Sequence, residues 1–124
     1  MQFKGLVPVI NCQHIEQTLE FYQQALRYII INKTETENGL QWAYLKCDET
    51  FIMLQKSEAL ETDHINSGNI SLHYYTSDIA AQHQFMSARG IKVGPIEDTA
   101  YSMKQFLMID PEGNRISIGQ NTKP

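Results

Sequence analysis

The residues best suited to acid–base chemistry lie in one short run, residues 70–75 (ISLHYY). If this run is a strand, its side chains alternate between two faces, so His73 shares a face with Ser71 and Tyr75. A histidine in that position could act as a general base or bind a ligand, because imidazole titrates near neutral pH. Tyr101 is a second candidate for proton transfer. The alternative for His73 is an imidazole hydrogen-bonded within a partly buried strand, and the sequence offers it no evident catalytic partner.

The other histidines and the cysteines form no recognisable site. His14, His64 and His83 show no HxxxH or HExxH spacing and are predicted to lie at the surface. Cys12 and Cys47 lack CxxC spacing, which favours two unreactive thiols in a reducing compartment over a disulfide or a zinc site. The sequence also contains no glycine-rich phosphate loop and no nucleophile elbow.

Composition limits the class of partner. The chain has 124 residues, a net charge of −4 and a pI of about 5.5, which fit one domain and argue against nucleic acid or an anionic membrane as partner. This charge favours a cationic or neutral small ligand. No apolar run approaches the roughly 20 residues of a membrane span, and residues 1–4 begin no signal peptide, so we expect a cytoplasmic protein.

The first half of the chain predicts one helix among four strands. Ile15, Leu19, Tyr22 and Leu26 recur at i, i+4, i+7 and i+11, which predicts a helix over roughly residues 14–27 with one apolar face. Pro8 indicates that the first strand lies at a sheet edge. The predicted strands are residues 6–10, 28–31, 40–46 and 51–55.

The second half repeats this order. Asp78 is a candidate N-cap and Gly90 a candidate C′ residue for a second helix. The predicted strands are residues 70–75, 91–93, 101–109 and 115–118. The last two form a hairpin, since Asp110-Pro-Glu-Gly-Asn is a turn sequence in which Gly113 can take a positive φ and the Asp and Asn side chains can bond turn amides.

A constant offset relates the two halves. Adding 64 takes Ile15 to Ile79 and Ile52 to Ile116, and it also takes Trp42 to Phe106. We therefore predict two strand–helix–strand–strand–strand modules, at about residues 3–56 and 69–120, joined by a polar linker at residues 57–68.

Three short motifs give this pattern a family likeness. With Phe21-Tyr22 in the first helix, Ala88-Arg89-Gly90 at the end of the second, and the turn before the last strand preceded by YSMKQF (residues 101–106), the chain resembles the vicinal oxygen chelate superfamily. That group includes glyoxalase I, extradiol dioxygenases and bleomycin resistance proteins. The resemblance implies an α+β fold in which two tandem βαβββ modules form a curved mixed sheet with a half-open, ligand-binding cup, and it implies a homodimer.

The resemblance also identifies where a metal would be held. Its metal-binding members carry histidine and carboxylate ligands at positions that correspond here to Val7, Met53, Ser71 and Ser117. None of these side chains is an imidazole or a carboxylate, the ligands that divalent ions in such sites require. We therefore expect no metal at this position and no other cofactor.

The predicted cup lining is aromatic and sulfur-containing, with a few polar groups. Trp42 could instead be a core residue, and Arg115 could be solvated or paired with Glu112 rather than bind a ligand. The predicted ligand-binding residues are Trp42, Tyr44, Met53, Ser71, His73, Tyr75, Tyr101, Phe106, Arg115 and Ser117.

The resulting prediction is a metal-independent binding protein that sequesters an aromatic or amphipathic small molecule in a dimeric cup. Its closest resemblance is to the metal-free bleomycin resistance proteins. One alternative is a glyoxalase-like lyase or isomerase that uses His73 or Tyr101 for proton transfer. Another is a protein-interaction module, which would expose an apolar patch.

Overall fold

The structure, a computed structural model, describes residues 2–57 and 70–122. The chain divides into two compact units, Met1–Ser67 and Gly68–Pro124, called here the N-terminal and the C-terminal unit. Each contains one helix and a four-stranded mixed sheet, in the element order that the sequence predicts, which confirms the α+β fold class. Apart from Ser57, the predicted linker lies outside the described residues.

The elements of the N-terminal unit are β1 Val9–Cys12, α1 Ile15–Ala25, β2 Ile29–Thr36, β3 Gly39–Cys47 and β4 Thr50–Lys56. Its sheet has the strand order β1-β4-β3-β2, so β1 lies at an edge, as Pro8 predicts. β1 pairs in parallel with β4, and the other neighbouring strands are antiparallel.

The N-terminal core lies between α1 and the two central strands. Tyr22 of α1 is fully buried, and so are Ala43 and Leu45 of β3 and Leu54 of β4. Because side chains alternate along a strand, the residues between these buried positions point to the side of the sheet opposite the helix. We call that side the outer face in each unit.

The elements of the C-terminal unit are β5 Ser71–Tyr75, α2 Ile79–Ala88, β6 Glu97–Asp98, β7 Met103–Ile109 and β8 Arg115–Asn121. The unit repeats the arrangement with the strand order β5-β8-β7-β6. The Asp78 carboxylate accepts a hydrogen bond from Ala81 N–H at 3.0 Å, and Gly90 has φ +77°, so both predicted ends of the helix are confirmed.

The strand predicted at residues 91–93 is wrong. Gly94 N–H donates to the Leu107 carbonyl at 2.9 Å, but Pro95 follows and has no N–H to donate. The ladder with β7 therefore forms at Glu97–Asp98, between the strands predicted at residues 91–93 and 101–109. β7 also begins later than predicted, because Ser102 takes φ +58° in the preceding turn.

The register of β7 corrects the expected equivalence between the halves. Val9 pairs with Met53 and His73 with Ser117, which agrees with an offset of 64. Met53 also pairs with Tyr44 of β3, and its equivalent Ser117 pairs with Leu107 of β7. Tyr44 therefore corresponds to Leu107, and the offset for this strand is 63 instead of 64.

Placing Phe106 on the outer face with Trp42 is therefore wrong. A slip of one residue moves a side chain to the opposite face of a sheet. Phe106 is only 1% exposed and packs edge-on against His83 of α2, with ring centroids 4.9 Å apart.

The turn between β7 and β8 forms as its sequence predicts. The Asp110 carboxylate accepts hydrogen bonds from the backbone N–H groups of Glu112 at 2.9 Å and Asn114 at 2.8 Å, and from the Asn114 side-chain amide at 3.0 Å. Gly113 has φ +88°. Asp110 and Asn114 are buried, so the turn is a fixed part of the C-terminal unit.

None of the helices described is long and apolar enough to cross a membrane.

Candidate functional site

The outer face of the N-terminal sheet carries a row of aromatic rings. Trp42 and Tyr44 are two residues apart on β3, with their ring centroids 6.2 Å apart. The ring centroid of Tyr44 lies 5.8 Å from that of Phe51 on β4. The ring planes are tilted by only 35° and 39°, and all three side chains are half-buried. Met53 pairs with Tyr44 in the same face, and the Lys46 ammonium lies 5.7 Å from the Phe51 centroid.

The rings of this row are not part of the core of the N-terminal unit. Ala43 and Leu45 supply the buried, helix-facing side of β3, so Trp42 and Tyr44 lie opposite the core. Aromatic rings and a thioether present a large, adaptable apolar surface. The arrangement is suited to holding a flat or amphipathic molecule by stacking and burial.

The outer face of the C-terminal sheet is organised around an imidazole. His73 Nδ1 lies 2.5 Å from Ser117 Oγ, and its ring packs edge-on against Tyr75 at a centroid distance of 4.7 Å. A Cβ added at Gly119 would come within 3.0 Å of His73 Cε1 and 2.7 Å of Met103 Sδ. The absence of a side chain at Gly119 therefore leaves space for the His73 ring. Within the described part of the chain, His73 Nε2 forms no hydrogen bond.

Around this imidazole the face combines a cation with apolar side chains. In the ladder, Arg115 lies between Ser71 and Ile109, and Ser117 lies between His73 and Leu107. Leu107 is 46% exposed and Ile109 67%, while Tyr75 is 70% exposed. Sequence reasoning missed Leu107 and Ile109, and only the strand register could have identified them.

Tyr101 is not brought into this arrangement. Its side chain is 87% exposed, in the turn before β7, and its backbone N–H donates to Thr99 Oγ1 at 3.2 Å. No hydrogen bond joins the Tyr101 hydroxyl to His73, so the two candidate proton-transfer groups do not form a pair.

Two open clefts of the N-terminal unit lie apart from the predicted site residues. One, of about 460 Å³, is lined by Asn38, Gln41, Lys56 and Ser57. The other, of about 430 Å³, is lined by Arg27, Ile29, Lys46, Cys47 and Asp48.

Cys47, in the second cleft, is a poor nucleophile. Burial raises the pKa of its thiol and the neighbouring Asp48 carboxylate raises it further, while Arg27 acts in the opposite direction. Its Sγ donates to the Leu26 carbonyl at 3.2 Å. Because the thiolate is the reactive form, this environment agrees with the unreactive thiol that the sequence suggests.

The residues at the metal position of the resembled family do not fit a metal ion. Ser117 Oγ is hydrogen-bonded to His73, and the Met53 thioether is a soft donor unsuited to hard cations. Val7 has no donor atom in its side chain, and Ser71 offers only a hydroxyl. Residues 2–57 and 70–122 also contain no group of three or more His, Cys, Asp or Glu side chains that could hold an ion.

Comparison with known proteins identifies the family and the fold. Residues 6–118 match the family described as the Glyoxalase/Bleomycin resistance protein/Dioxygenase superfamily. No match was found among curated protein sequences.

Solved structures resemble the chain over nearly its whole length. One is TnmS3, an antibiotic binding protein from a Streptomyces species, at 20% identity and a TM-score of 0.75, covering 98% of both chains. Another is a bleomycin-binding protein complexed with bleomycin, at 16% identity and a TM-score of 0.75, covering 96% of this chain and 99% of that one. A third is a lactoylglutathione lyase from Agrobacterium tumefaciens, at 16% identity and a TM-score of 0.73, covering 98% and 97%.

These structural likenesses establish the fold alone. At such identities, proteins named as binding proteins and a protein named as a lyase share one architecture, and a fold does not determine a reaction.

Proposed function

Since this chain belongs to the Glyoxalase/Bleomycin resistance protein/Dioxygenase superfamily, we propose that it binds an aromatic or amphipathic small molecule without a metal and without altering it. The outer faces of the two sheets are the binding surfaces. The observation that carries this proposal is the half-buried aromatic row of Trp42, Tyr44 and Phe51 on the side of its sheet opposite the core.

Two further observations support binding without a metal. The side chains at the metal position of the family supply one thioether, two hydroxyls and no carboxylate or imidazole. Neighbours of the same fold are named for binding antibiotics, namely TnmS3 and the bleomycin-binding protein. The second point lends support by analogy only, because their identity to this chain is low.

We also propose that the protein is a cytoplasmic homodimer. Two cysteines without CxxC spacing suit a reducing compartment, and a dimer is what the family resemblance implies. Sedimentation equilibrium should then give a mass twice the 14.2 kDa of one chain. A mass of one chain at all concentrations would contradict the dimer.

A thermal-shift screen of the full chain tests the binding proposal. In buffer with a chelator, we expect bleomycin or members of a panel of polycyclic aromatic compounds to raise the unfolding temperature. A compound present at 100 times its dissociation constant should add about 2.7 kcal/mol to the free energy of unfolding. If no compound in a broad panel raises the unfolding temperature, the proposal is wrong.

Variants of Trp42 then locate the binding surface. Trp42→Ala should weaken a hit of this screen by tenfold or more, about 1.4 kcal/mol, because it removes the largest ring of the row. Trp42→Phe keeps a ring and should bind within a few-fold of the wild type. Equal affinity in all three proteins would move the site away from the aromatic row.

The competing function is a lyase or isomerase that uses His73 for proton transfer. It is favoured by one observation, the imidazole held by Ser117 at 2.5 Å with Nε2 unbonded among the described residues. Turnover of a hemithioacetal or a related substrate that is lost in a folded His73→Ala variant would establish it. Binding without turnover supports the proposal made here.

A further inference from the structure

We propose that the outer face of the C-terminal sheet selects ligands that carry a carboxylate, and that Arg115 binds this group. This inference rests on the proposed function and names the chemical class of its ligand, a small amphipathic carboxylic acid. It runs against the net charge of −4, which by itself favours cationic ligands.

Among the residues that the structure describes, Arg115 is a cation on the outer face of this unit. It is the first residue of β8 and is exposed, on the face opposite the buried Ile116. Glu112, the partner suggested by the sequence, is buried in the turn, and no carboxylate of the described residues pairs with Arg115. A planar guanidinium can hold a carboxylate by two parallel hydrogen bonds.

His73 lies on the same face but on the other side of Ser117. Arg115 and Ser117 are two residues apart on β8, so they lie on the same face roughly 7 Å apart, and Ser117 holds His73 Nδ1. A Cβ at Gly119 would lie 3.1 Å from His73 Nε2, so this nitrogen is directed toward Gly119 and not toward Arg115. The carboxylate is therefore assigned to Arg115, and His73 adds a polar group to the same face.

The apolar half of the ligand has its own contacts on the same face. Ile109 pairs with Arg115 and Leu107 with Ser117, so two exposed aliphatic side chains lie directly beside the polar groups. The exposed ring of Tyr75 packs against the imidazole of His73, and both residues belong to β5. One end of this face therefore suits an anion and the adjoining surface suits an aromatic or aliphatic body, which together describe an amphipathic acid.

The experiment compares three probes that share one ring system. The full-length chain is titrated calorimetrically with 2-naphthylacetic acid, its primary amide and 2-(2-naphthyl)ethylamine. The naphthyl ring is the same in all three, and the polar end is an anion, a neutral amide or a cation. The variants are Arg115→Gln and, as a matched control, Lys104→Gln. Lys104 is an exposed cation on β7, and its side chain points to the same side of the sheet as Phe106, opposite the outer face. Lys104→Gln therefore changes the net charge by the same amount as Arg115→Gln, but away from the outer face.

We expect the acid to bind at least tenfold more tightly than the amide, and the amine more weakly than either. Arg115→Gln should reduce acid binding to the level of the amide and leave amide binding unchanged, while Lys104→Gln should alter acid binding less than twofold. A preference for the amide or amine, or no binding of the acid, would overturn the inference. So would equal losses in the two variants, because bulk charge would then explain them.

The outcomes separate this inference from the proposed function. Binding of the amide or amine, or of any compound in the wider screen, leaves the binding function standing while the preference for acids falls. Only the absence of binding by every compound removes both.

Discussion

Single residues on the outer faces differ in how far the sequence could place them. Strand alternation predicts that Ser71, His73 and Tyr75 share one face, and the pairing of β5 with β8 adds Ser117 to it. The bond between His73 and Ser117 could not be predicted, because it depends on the pairing of two strands 44 residues apart. The sequence leaves Arg115 open between solvation, pairing with Glu112 and ligand binding, because the position of the Glu112 carboxylate depends on the folded turn.

Asp110 should be the most sensitive residue of the turn between β7 and β8. Asp110→Ala removes the acceptor of two backbone N–H groups and one side-chain amide in a buried turn. We expect the free energy of unfolding in urea to fall by about 3 kcal/mol or more, because three buried donors lose their acceptor and each one left unpaired costs about 1–3 kcal/mol. Asp98→Ala, at an exposed position of β6, serves as control and should change it by less than about 0.5 kcal/mol. Equal stability of the two variants would contradict this role.

The reactivity of Cys47 should follow the charges beside it. The Asp48 carboxylate raises the pKa of the thiol, so Asp48→Asn should lower this pKa, increase the thiolate fraction at pH 8 and speed reaction with a disulfide reagent several-fold. Arg27→Gln should slow the reaction, since Arg27 lowers the pKa. Cys12 is fully buried, so the fast phase reports Cys47. A slower reaction in Asp48→Asn would contradict this electrostatic explanation.

At the scale of elements, the sequence predicts those helices and strands in which apolar and polar residues recur with a regular period. The first helix follows from its apolar spacing, and the second from its cap residues. β7 was different, because Phe106, Leu107, Met108 and Ile109 are all apolar and do not indicate which parity faces the core. Its register is set by pairing with β8, so the offset of 64 holds for β5 and β8 but not for β7. Residues 91–93 were apolar enough to suggest a strand, but Pro95 limits the ladder that they could join.

The N-cap of α2 gives a test at this scale. Asp78→Ala should lower the free energy of unfolding by about 1 kcal/mol, because the carboxylate no longer accepts from Ala81 N–H. Asp78→Asn keeps an acceptor oxygen and should retain most of the stability. Ser77→Ala, at the exposed neighbouring position, should be nearly neutral. An Asp78→Ala variant as stable as the wild type would show that the cap contributes nothing to α2.

At the scale of the molecule, the proposed function rests on the side of each sheet that lies opposite its own helix. Both units use one side of the sheet for the helix and core, which leaves the other side free for aromatic, aliphatic and polar side chains. The sequence predicted this division and the family, and it predicted that the metal ligands of related proteins are replaced. It could not predict that the cationic and apolar groups of the C-terminal face lie side by side. That depends on the register of β7 and β8.

The central claim is that an organic ligand binds here without the help of a metal ion. The most direct measurement is calorimetric titration of the best compound from the thermal-shift screen, once with a chelator and once with Zn²⁺, Ni²⁺ or Mn²⁺ added. The account predicts the same dissociation constant and stoichiometry in both. Binding that occurs only when the ion is present would contradict it.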